Sequence, residues 1–417
     1  MKQLRLFIES FWFALGALKG NLLRTMLSLL GITIGIFATI GALTLVDALE
    51  GSIRQSMSFL GDKVLYVEKW PWGFGGGEYK WWEFIKRPNP TAREYKLLEK
   101  RVTMSDGISI FLIRGNITVK HKSSSSSGLF MQGVSFFHNK VSDIPVEEGR
   151  YFSWQESEKG ANVGLIGSQI AQDLFGSPQM AIGKEISIRN KKFTIIGVMK
   201  KQGENLLGAP SSDRLCLVPF GAMIKMFSTG KTGLAPKIAL KGLPSDPTLT
   251  ELEAEVKGIM RSIRGLKPKE DDDFALNRSE ALADFINTLV GVLEAAGWFI
   301  GSFSFLVGGF GIANIMFVSV KERTNLIGIQ KSLGAKNSFI LSQFLFESVL
   351  LSFVGGVAGL FLVACLQVFS TESFVISLSG FNILTGFVMS LVVGVLAGII
   401  PAYFAARLDP VIAIRSK

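Results

Sequence analysis

The stretch that decides the fold is IANIMFVSVKERTNLIGIQKSLGAKNSFILSQFLFESVL, from Ile312 to Leu350. Its two ends are predominantly apolar, whereas its middle, Lys321–Lys336, carries five charged side chains. A helix that crosses a bilayer needs about 20 apolar residues, and each end of this stretch continues into a run of that length. The stretch therefore predicts two membrane-spanning helices joined by a short charged loop in water.

The composition agrees with a protein that is only partly embedded in a membrane. Hydrophobic residues make up 48% of the 417 residues, and the mean hydropathy is +0.36. These values exceed those of ordinary soluble proteins and fall short of those of chains that lie wholly in lipid. Four apolar runs are long enough to span: Thr25–Val46, Ala295–Val320, Ile340–Val368 and Ile383–Ala406.

The remaining segments follow from these runs. We expect an amphipathic surface helix over 1–24, although a simple extension of the first span is the alternative. The predicted organisation is a first span over 25–47, a large water-exposed domain over 48–284, a second span with a stalk over 285–320, a loop over 321–339, a third span over 340–368, a short loop over 369–382, a fourth span over 383–406 and a tail over 407–417.

The distribution of basic residues predicts the orientation. Lys and Arg occur in 2–24, in 321–336 and in 407–417, and the loop 369–382 contains none. The positive-inside rule then puts both termini and the loop 321–339 in the cytoplasm, and the large domain outside. The same basic flanks explain the net charge of +10, and because no nucleic-acid-binding motif accompanies it, we expect no nucleic-acid partner. Two cysteines, Cys216 and Cys365, do not suggest a disulfide framework.

The large domain has the pattern of an α+β fold. A hairpin is predicted to turn near Asn190 and to bury Ile186, Ile188, Phe193, Ile195 and Val198. The serine run Ser123–Ser127 is predicted to be a mobile hairpin tip. Further strands are predicted at Val64–Glu68, Ile108–Ile113, Asn116–Lys120 and Leu129–Val134, and helices at Gly167–Phe175 and Leu249–Ile263.

Each predicted span carries a pair of glycines four residues apart. Small residues at this spacing let helix backbones approach closely in lipid, where the hydrophobic effect contributes little to helix association. They predict a tightly packed bundle or a dimer, and they are Gly31 with Gly35, Gly297 with Gly301, Gly355 with Gly359, and Gly394 with Gly398.

Polar residues in the spans and in the domain give few candidates for chemistry. Glu347 lies in the third span with Gln343 one helical turn away, which predicts a shared polar contact or, alternatively, a proton relay.

STGKT (Ser228–Thr232) lacks the upstream glycine of a phosphate loop and is interpreted as a surface turn. His121 and His138 are predicted to be surface residues, since no metal-ligand spacing surrounds them. We expect no catalytic, cofactor or metal site.

Two further stretches of the domain leave alternatives open. Glu270–Asp273 is an acidic run that is either a solvated linker or a site for a cation or basic partner. Pro71–Phe84, PWGFGGGEYKWWEF, concentrates aromatic residues around a glycine centre. It is either a loop that faces lipid or substrate, because Trp favours apolar–polar boundaries, or a loop folded onto the domain.

Several motifs resemble one family, the MacB-like or FtsX-like permeases of ABC transporters. NLLRTMLSLLGITIGI (Asn21–Ile36) is similar to the family's first span, and AGIIPAYFAARLDPVIAIR (Ala397–Arg415) to its closing motif. The segment Ile312–Leu360, which contains KERTNLIGIQKSLGAK, resembles its most specific part. LFMQGVSF, VEEGRYFS, GLIGSQIAQDLFG and IGKEISIRNKKFTIIGV resemble its extracytoplasmic domain.

The resemblance implies a multi-pass protein of the bacterial inner membrane. Its fold would have four transmembrane helices and, between the first two, an extracytoplasmic α+β domain with a porter-like lobe and an inserted second lobe at roughly residues 150–230. The implied partners are a dimer of cytoplasmic ABC ATPases on separate chains, a second permease copy or paralogue, and membrane lipid. A periplasmic adaptor and an outer-membrane channel are left open, and ATP would be bound by the partner subunit.

Within this family the charged loop would be the coupling helix, which contacts the ATPase. The loop's own chemistry fits, because Leu326, Ile329 and Leu333 form an apolar stripe that a plain loop does not need. Gly334 can end the helix, and Gly328 is expected to allow close approach of another backbone. The predicted coupling residues are Glu322, Arg323, Leu326, Gly328, Ile329, Lys331, Leu333 and Gly334.

Two functions are consistent with these features. The first is a non-catalytic permease subunit that converts ATP hydrolysis into motion of the outer domain and so exports or extracts a substrate. The alternative is an FtsX-like transmitter that controls an envelope enzyme or a signal. The large two-lobed domain favours the first. An enzyme with its own active site has no support, since no nucleophile–base pair or metal cluster is recognisable.

Overall fold

The computed structural model describes residues 22–57, 61–73, 79–203, 211–230, 233–371 and 374–415. Most of the predicted surface helix over 1–24 therefore lies outside the described residues. The chain divides into two units, one made of 1–50 with 289–417 and the other of 51–288.

Helices and strands alternate in the second unit, whereas the first is helical. The helices are α1 Leu22–Met57, α2 Trp81–Phe84, α3 Ala92–Arg101, α4 His138–Val141, α5 Trp154–Lys159, α6 Ser168–Phe175, α7 Pro178–Ala181, α8 Phe220–Ile224, α9 Thr250–Arg264, α10 Ser279–Glu322, α11 Thr324–Ser332, α12 Asn337–Cys365, α13 Gly380–Arg407 and α14 Pro410–Arg415. The strands are β1 Val64–Glu68, β2 Ser105–His121, β3 Ser124–Val134, β4 Val146–Gly149, β5 Val163–Ile166, β6 Glu185–Ile188, β7 Lys191–Met199, β8 Leu215–Pro219, β9 Lys237–Gly242 and β10 Ala275–Arg278.

Four helices in the described part of the chain are long and apolar enough to span a membrane, which confirms the predicted number of spans. They cover Leu29–Arg54, Ser279–Glu322, Asn337–Phe369 and Gly380–Arg407. The second of them, α10, has 44 residues. Its length of about 66 Å is roughly twice the ~30 Å hydrocarbon thickness of a bilayer. This helix is therefore long enough for both a span and a stalk.

The paired glycines lie where helices of the same chain meet. A Cβ at Gly355 would be 3.1 Å from Cβ of Ile32, and one at Gly359 would be 2.9 Å from the carbonyl oxygen of Thr33. The other six face neighbouring helices in the same way: Gly31 faces Gly308, Gly35 faces Ser304, Gly297 faces Ala42, Gly301 faces Thr39, Gly394 faces Ser352, and Gly398 faces Ser348. The sequence predicted either a tightly packed bundle or a dimer, and these contacts are those of a bundle within one chain.

The second unit is built on a ten-stranded sheet in the order β10-β1-β9-β2-β3-β8-β5-β7-β4, with β6 paired to both β2 and β7. The pairings β2–β3, β3–β8, β8–β5, β5–β7, β7–β6 and β6–β2 close a ring. The ring is a small barrel. Its interior contains the buried side chains predicted for the hairpin, Ile186, Ile188, Phe193, Ile195 and Val198, which confirms that prediction.

The sheet carries two lobes with separate cores. The first packs α3 and α9 against β1, β9 and the start of β2, around Leu98, Leu240 and Val256. The second is the barrel, whose core also uses Leu112 and Met131. The predicted insert at 150–230 supplies most of the barrel, but β2 and β3 complete it. The lobes thus share strands, because β2 is long enough to pair in both.

Two local predictions about β2 and β3 are wrong. The segments 108–113 and 116–120 are not two strands but parts of β2, which has an irregularity between Arg114 and Ile117. The serine run begins at the tip of the β2–β3 hairpin, but the prediction that the whole run is a mobile tip is wrong, since His121 pairs with Ser124 and Ser124–Ser127 belong to β3. Ser126 is buried and donates a 2.8 Å hydrogen bond to Oδ2 of Asp173. Closing the barrel requires β3 to pair along this whole length, which overrides the low strand propensity of serine.

The acidic run Glu270–Asp273 is neither a solvated linker nor a free cation site. Asp272 forms ion pairs with Lys257, at 3.2 Å, and with Arg261. Asp273 pairs with Arg264 at 3.0 Å. The run folds back onto α9, whose basic residues lie one turn apart on the face that meets it.

His138 is buried, so its predicted surface position is wrong. Its Nδ1 lies 2.9 Å from Oγ of Ser109, and its Nε2 lies 3.2 Å from the amide nitrogen of Gln132. With that amide nitrogen as donor, Nε2 accepts and Nδ1 carries the proton. Burial lowers the pKa of His138 to about 4 from 6.5. The ring is therefore a neutral core residue that hydrogen-bonds at both nitrogens.

We expect this histidine to make the unit lose stability in mild acid. Between pH 6.5 and about 4 the unfolded chain binds a proton at His138 that the folded chain does not. Stability is therefore fully present above the unfolded pKa and falls as pH is lowered. The expected loss is about 2 kcal/mol between about pH 7 and pH 5. Thermal unfolding of the purified chain at both pH values measures it. His138→Phe should remove this part of the pH dependence and His121→Phe should keep it; an unchanged dependence in His138→Phe would contradict the assignment.

Candidate functional site

The charged loop between the second and third spans folds as a separate short helix, α11. The helical backbone breaks at Arg323, with φ −104° and ψ 11°. The hydroxyl of Thr324 donates to the carbonyl oxygens of Val320, at 3.0 Å, and Lys321, at 2.9 Å. It thereby satisfies carbonyls that the end of α10 leaves unpaired. The direction of the chain changes here because α10 is capped and a new helix begins.

The other end of α11 is closed by the glycine that the sequence indicates. Gly334 has φ +93°, a conformation that favours glycine. The amide of Ala335 donates to the carbonyl oxygen of Gln330 at 3.1 Å, and the amide of Gly334 donates to that of Lys331 at 3.0 Å. This is the pattern of a left-handed helix cap. It lets α12 begin three residues later, at Asn337.

One face of α11 is apolar and open to solvent. Leu326, Ile329 and Leu333 are 54, 45 and 84% exposed. Their spacing of three and four residues puts them on one side of the helix. We call these three residues the apolar stripe. Within the described residues the neighbouring helix α14 also presents Val411 and Ile412, each 68% exposed.

The opposite face of α11 packs against the chain itself. Ile327 and Gly328 are buried, and α14, with Ala413 only 1% exposed, packs against α11. Gly328, which was expected to let another backbone approach closely, therefore lies on the side that packs within the chain.

Lys331 lies on this inner side and connects α11 to the fourth span by hydrogen bonds. Its Nζ donates to the carbonyl oxygens of Ala406, at 2.8 Å, and Leu408, at 2.7 Å. These carbonyls belong to the end of α13, where unpaired oxygens and the helix dipole favour a cation. The lysine thus fixes two helices relative to each other.

Arg323 ties the same loop to the third span. Its Nη1 lies 3.2 Å from Oε2 of Glu347, and the two side chains are 20 and 6% exposed. The predicted contact between Gln343 and Glu347 is not formed, and Oε1 of Gln343 is buried without a hydrogen-bond partner among the described residues. The guanidinium provides charge compensation that an amide does not, which explains why Glu347 bonds to Arg323.

The predicted coupling residues therefore separate into two groups. Arg323, Gly328 and Lys331 face the protein and hold α11 in place. The exposed residues of the set are Glu322, Leu326, Ile329, Leu333 and Gly334. The sequence reasoning did not find the pairing with Glu347 or the contact with α14, although opposite charges near adjacent span ends were a usable signal.

The aromatic stretch Pro71–Phe84 was predicted either to face lipid or substrate or to fold onto the domain, and its described residues differ in this respect. The backbone amide of Trp72 donates to Oδ1 of Asn277 at 2.9 Å, and its ring nitrogen donates to Glu68 at 3.3 Å. Trp72 is thus folded onto the domain. Trp81 and Trp82 are about half exposed, and Phe74 lies outside the described residues.

Comparison with protein families gives two matches that together cover most of the chain. Residues 25–259 match the family described as MacB-like periplasmic core domain, and residues 298–410 match the FtsX-like permease C-terminal family. The first match includes most of the α+β unit, and the second includes the last part of α10, α11 and α12.

Similar curated proteins are larger than this chain. It is 30% identical over 405 residues to the pyoverdine export ATP-binding/permease protein PvdT of Pseudomonas syringae pv. syringae, covering 95% of this chain and 58% of the relative. It is 29% identical over 413 residues to the macrolide export ATP-binding/permease protein MacB of Neisseria gonorrhoeae, covering 98% of this chain and 61% of the relative. The chain thus spans about three fifths of the length of the curated relatives it matches.

Comparison with solved structures gives a more distant match. It is the periplasmic region of MacB from Actinobacillus actinomycetemcomitans, with a TM-score of 0.43 and 16% identity. The match covers 56% of this chain and 95% of that structure.

Proposed function

This chain belongs to the MacB-like, FtsX-like family of ABC transporter permeases of the inner membrane, and we propose that it drives export by coupling ATP hydrolysis to motion of its outer domain. The ATP is bound by a dimer of ATP-binding subunits on separate chains. A second permease copy or paralogue completes the transporter, and both termini and α11 are cytoplasmic. The names of the relatives, which export pyoverdine and macrolides, support export as the activity.

The observation that carries this proposal is the two-sided character of α11. Its apolar stripe is exposed, although burying three large aliphatic side chains in a partner would stabilise a complex by several kcal/mol (~1.5–3 kcal/mol each). Its other side is fixed to α12 through Arg323 and to α13 through Lys331. An exposed apolar surface on a rigidly held helix is suited to receive a partner and to transmit its movement.

The path from this surface to the outer domain is one continuous helix. α10 begins at Ser279, the residue after β10, and ends at Glu322, the residue before Arg323. In the proposed mechanism, displacement of α11 would pass along α10 to the residues that follow β10. This supports mechanical coupling, and an adaptor and an outer-membrane channel are the expected recipients of an exported substrate beyond the inner membrane.

We expect Leu326→Asp with Leu333→Asp to abolish binding of the ATP-binding subunit. Both side chains are exposed, so the chain should still fold, whereas a charge buried without a partner in the complex costs several kcal/mol. Co-purification with the tagged ATP-binding subunit, and stimulation of its ATPase activity, measure the effect. The expected loss is more than about tenfold in retained subunit.

The matched control is Ile224→Asp, since this residue is also an exposed aliphatic, at 42%, but belongs to α8 of the other unit. It should leave co-purification unchanged. Full recovery of the ATP-binding subunit with the Leu326/Leu333 variant would refute the role proposed for α11.

A further inference from the structure

An exposed aromatic surface on the outer domain is not accounted for by coupling. It consists of Trp81 and Trp82 on α2 and of Ile85 just beyond it, and these side chains are 54, 48 and 49% exposed. The two indole rings meet edge to face, with centroids 5.9 Å apart. We call these three residues the tryptophan platform. Large apolar side chains grouped on a surface mark a site that meets an apolar or interfacial partner.

The helix that carries the platform packs against the domain through Phe84, which leaves the two tryptophans on the solvent side. The ring of Phe84 packs against Trp70 and Tyr79, with centroid distances of 6.4 and 5.5 Å. The guanidinium of Arg87 lies 4.6 Å from the Phe84 centroid, and its Nη1 donates to the carbonyl oxygen of Phe274 at 3.1 Å. Phe84 therefore faces the domain, and Trp81 and Trp82, from the same helical turn, face outward.

The charges around the platform are mainly positive. From Lys69 to Arg87 the sequence has four basic and two acidic residues. Lys80 and Lys86 flank the platform and are exposed, and the contact of Lys80 with Glu83 is long, at 3.8 Å. The one arginine, Arg87, is turned inward. The outward cations are thus lysines, which act as mobile point charges and not as oriented forks.

We propose that the tryptophan platform binds an anionic lipid surface. Trp is the side chain that best suits the boundary between headgroups and acyl chains, and each nearby lysine adds about 1 kcal/mol of attraction to an anionic lipid surface. A protein partner fits less well, because protein interfaces are enriched in Arg and depleted in Lys, whereas the platform shows the reverse.

The platform lies at one end of β1. Trp70, which packs beneath the platform, follows the C-terminal end of β1. At the N-terminal end of β1, the amide of Val64 donates a 3.0 Å hydrogen bond to Oγ of Ser279, which is the first residue of α10. The platform therefore lies at the opposite end of β1 from the start of that helix, about 17 Å away along the strand. Vesicles that do not hold the chain are the probe, because flotation with them reports binding that is separate from insertion of the spans.

Co-flotation tests the proposal. The full chain is placed in nanodiscs of phosphatidylcholine and mixed with separate vesicles of phosphatidylcholine alone or with added phosphatidylglycerol. We expect it to float with the anionic vesicles, less so at high salt, and not with the neutral ones. Trp81→Ser with Trp82→Ser, and separately Lys80→Glu with Lys86→Glu, should each reduce flotation about tenfold or more.

The matched control is Trp154→Ser, because Trp154 is 50% exposed on α5, away from the platform residues in the sequence. It should float like the unchanged chain. Thermal unfolding of every variant should be unchanged, because the substituted side chains are exposed. Undiminished flotation of both platform variants, or equal flotation with neutral and anionic vesicles, would overturn the proposal. Inhibition by soluble glycerol phosphate as strong as that by the vesicles would also overturn it, since a phosphate site and not a surface would then be responsible.

Discussion

Arg323→Ala is expected to abolish stimulation of the ATP-binding subunit by this permease and to lower its melting temperature. The substitution leaves the carboxylate of Glu347, 6% exposed, without the guanidinium that lies 3.2 Å from it. Removing one partner of a buried ion pair costs about 3–5 kcal/mol, because the remaining charge is uncompensated. The same change releases the start of α11 from α12. Thermal unfolding and ATPase stimulation of the reconstituted complex measure the two consequences.

Two further variants separate charge compensation from attachment. Arg323→Met combined with Glu347→Met should recover most of the stability, since a buried ion pair can be replaced by apolar side chains at little cost. It should not fully recover ATPase stimulation, because the polar connection is gone. Lys321→Ala, an exposed cation two residues away, is the control and should change neither property. A fully stable, fully stimulating Arg323→Ala variant would show that the pair has no role in coupling.

Arg264→Met is expected to destabilise the outer domain by about 3 kcal/mol or more. The arginine side chain is 5% exposed, and its Nε donates to Oε1 of Glu94 at 2.8 Å. Its Nη1 donates to the carbonyl oxygen of Asp273 at 2.8 Å and to its carboxylate at 3.0 Å. The substitution therefore leaves the carboxylate of Glu94, a residue 8% exposed, without its cation.

Lys257→Met provides the comparison for this prediction. Lys257 also pairs with the acidic run, through Asp272 at 3.2 Å, but its side chain is 53% exposed. An exposed ion pair contributes about 0–1 kcal/mol. Chemical denaturation followed by tryptophan fluorescence should therefore show a large shift for Arg264→Met and a small one for Lys257→Met. Equal shifts would mean that burial does not decide the strength of these pairs.

The sequence alone determined the features that depend on neighbouring residues. The length of each apolar run set the number of spans, because a bilayer imposes a minimum helix length. A run of β-branched and aromatic residues located β1. Alternation of apolar residues located the hairpin at Asn190, where Arg189 and Asn190 both have positive φ. The three- and four-residue spacing of Leu326, Ile329 and Leu333 predicted one face of α11. These patterns are local, so no knowledge of the partner segment was required.

The tertiary structure decided the features that depend on residues distant in the sequence. His138 is buried because Ser109, 29 residues earlier, hydrogen-bonds to it, and the serine run is a strand because the barrel closes through β3. Arg264 and Glu94 meet across 170 residues, and Arg323 meets Glu347 across 24. Whether a charge in a polar segment faces water, a partner or its own chain depends on which segments pack against it. The sequence shows where the charged residues are. Only the packed structure shows which of them are buried and which groups they pair with.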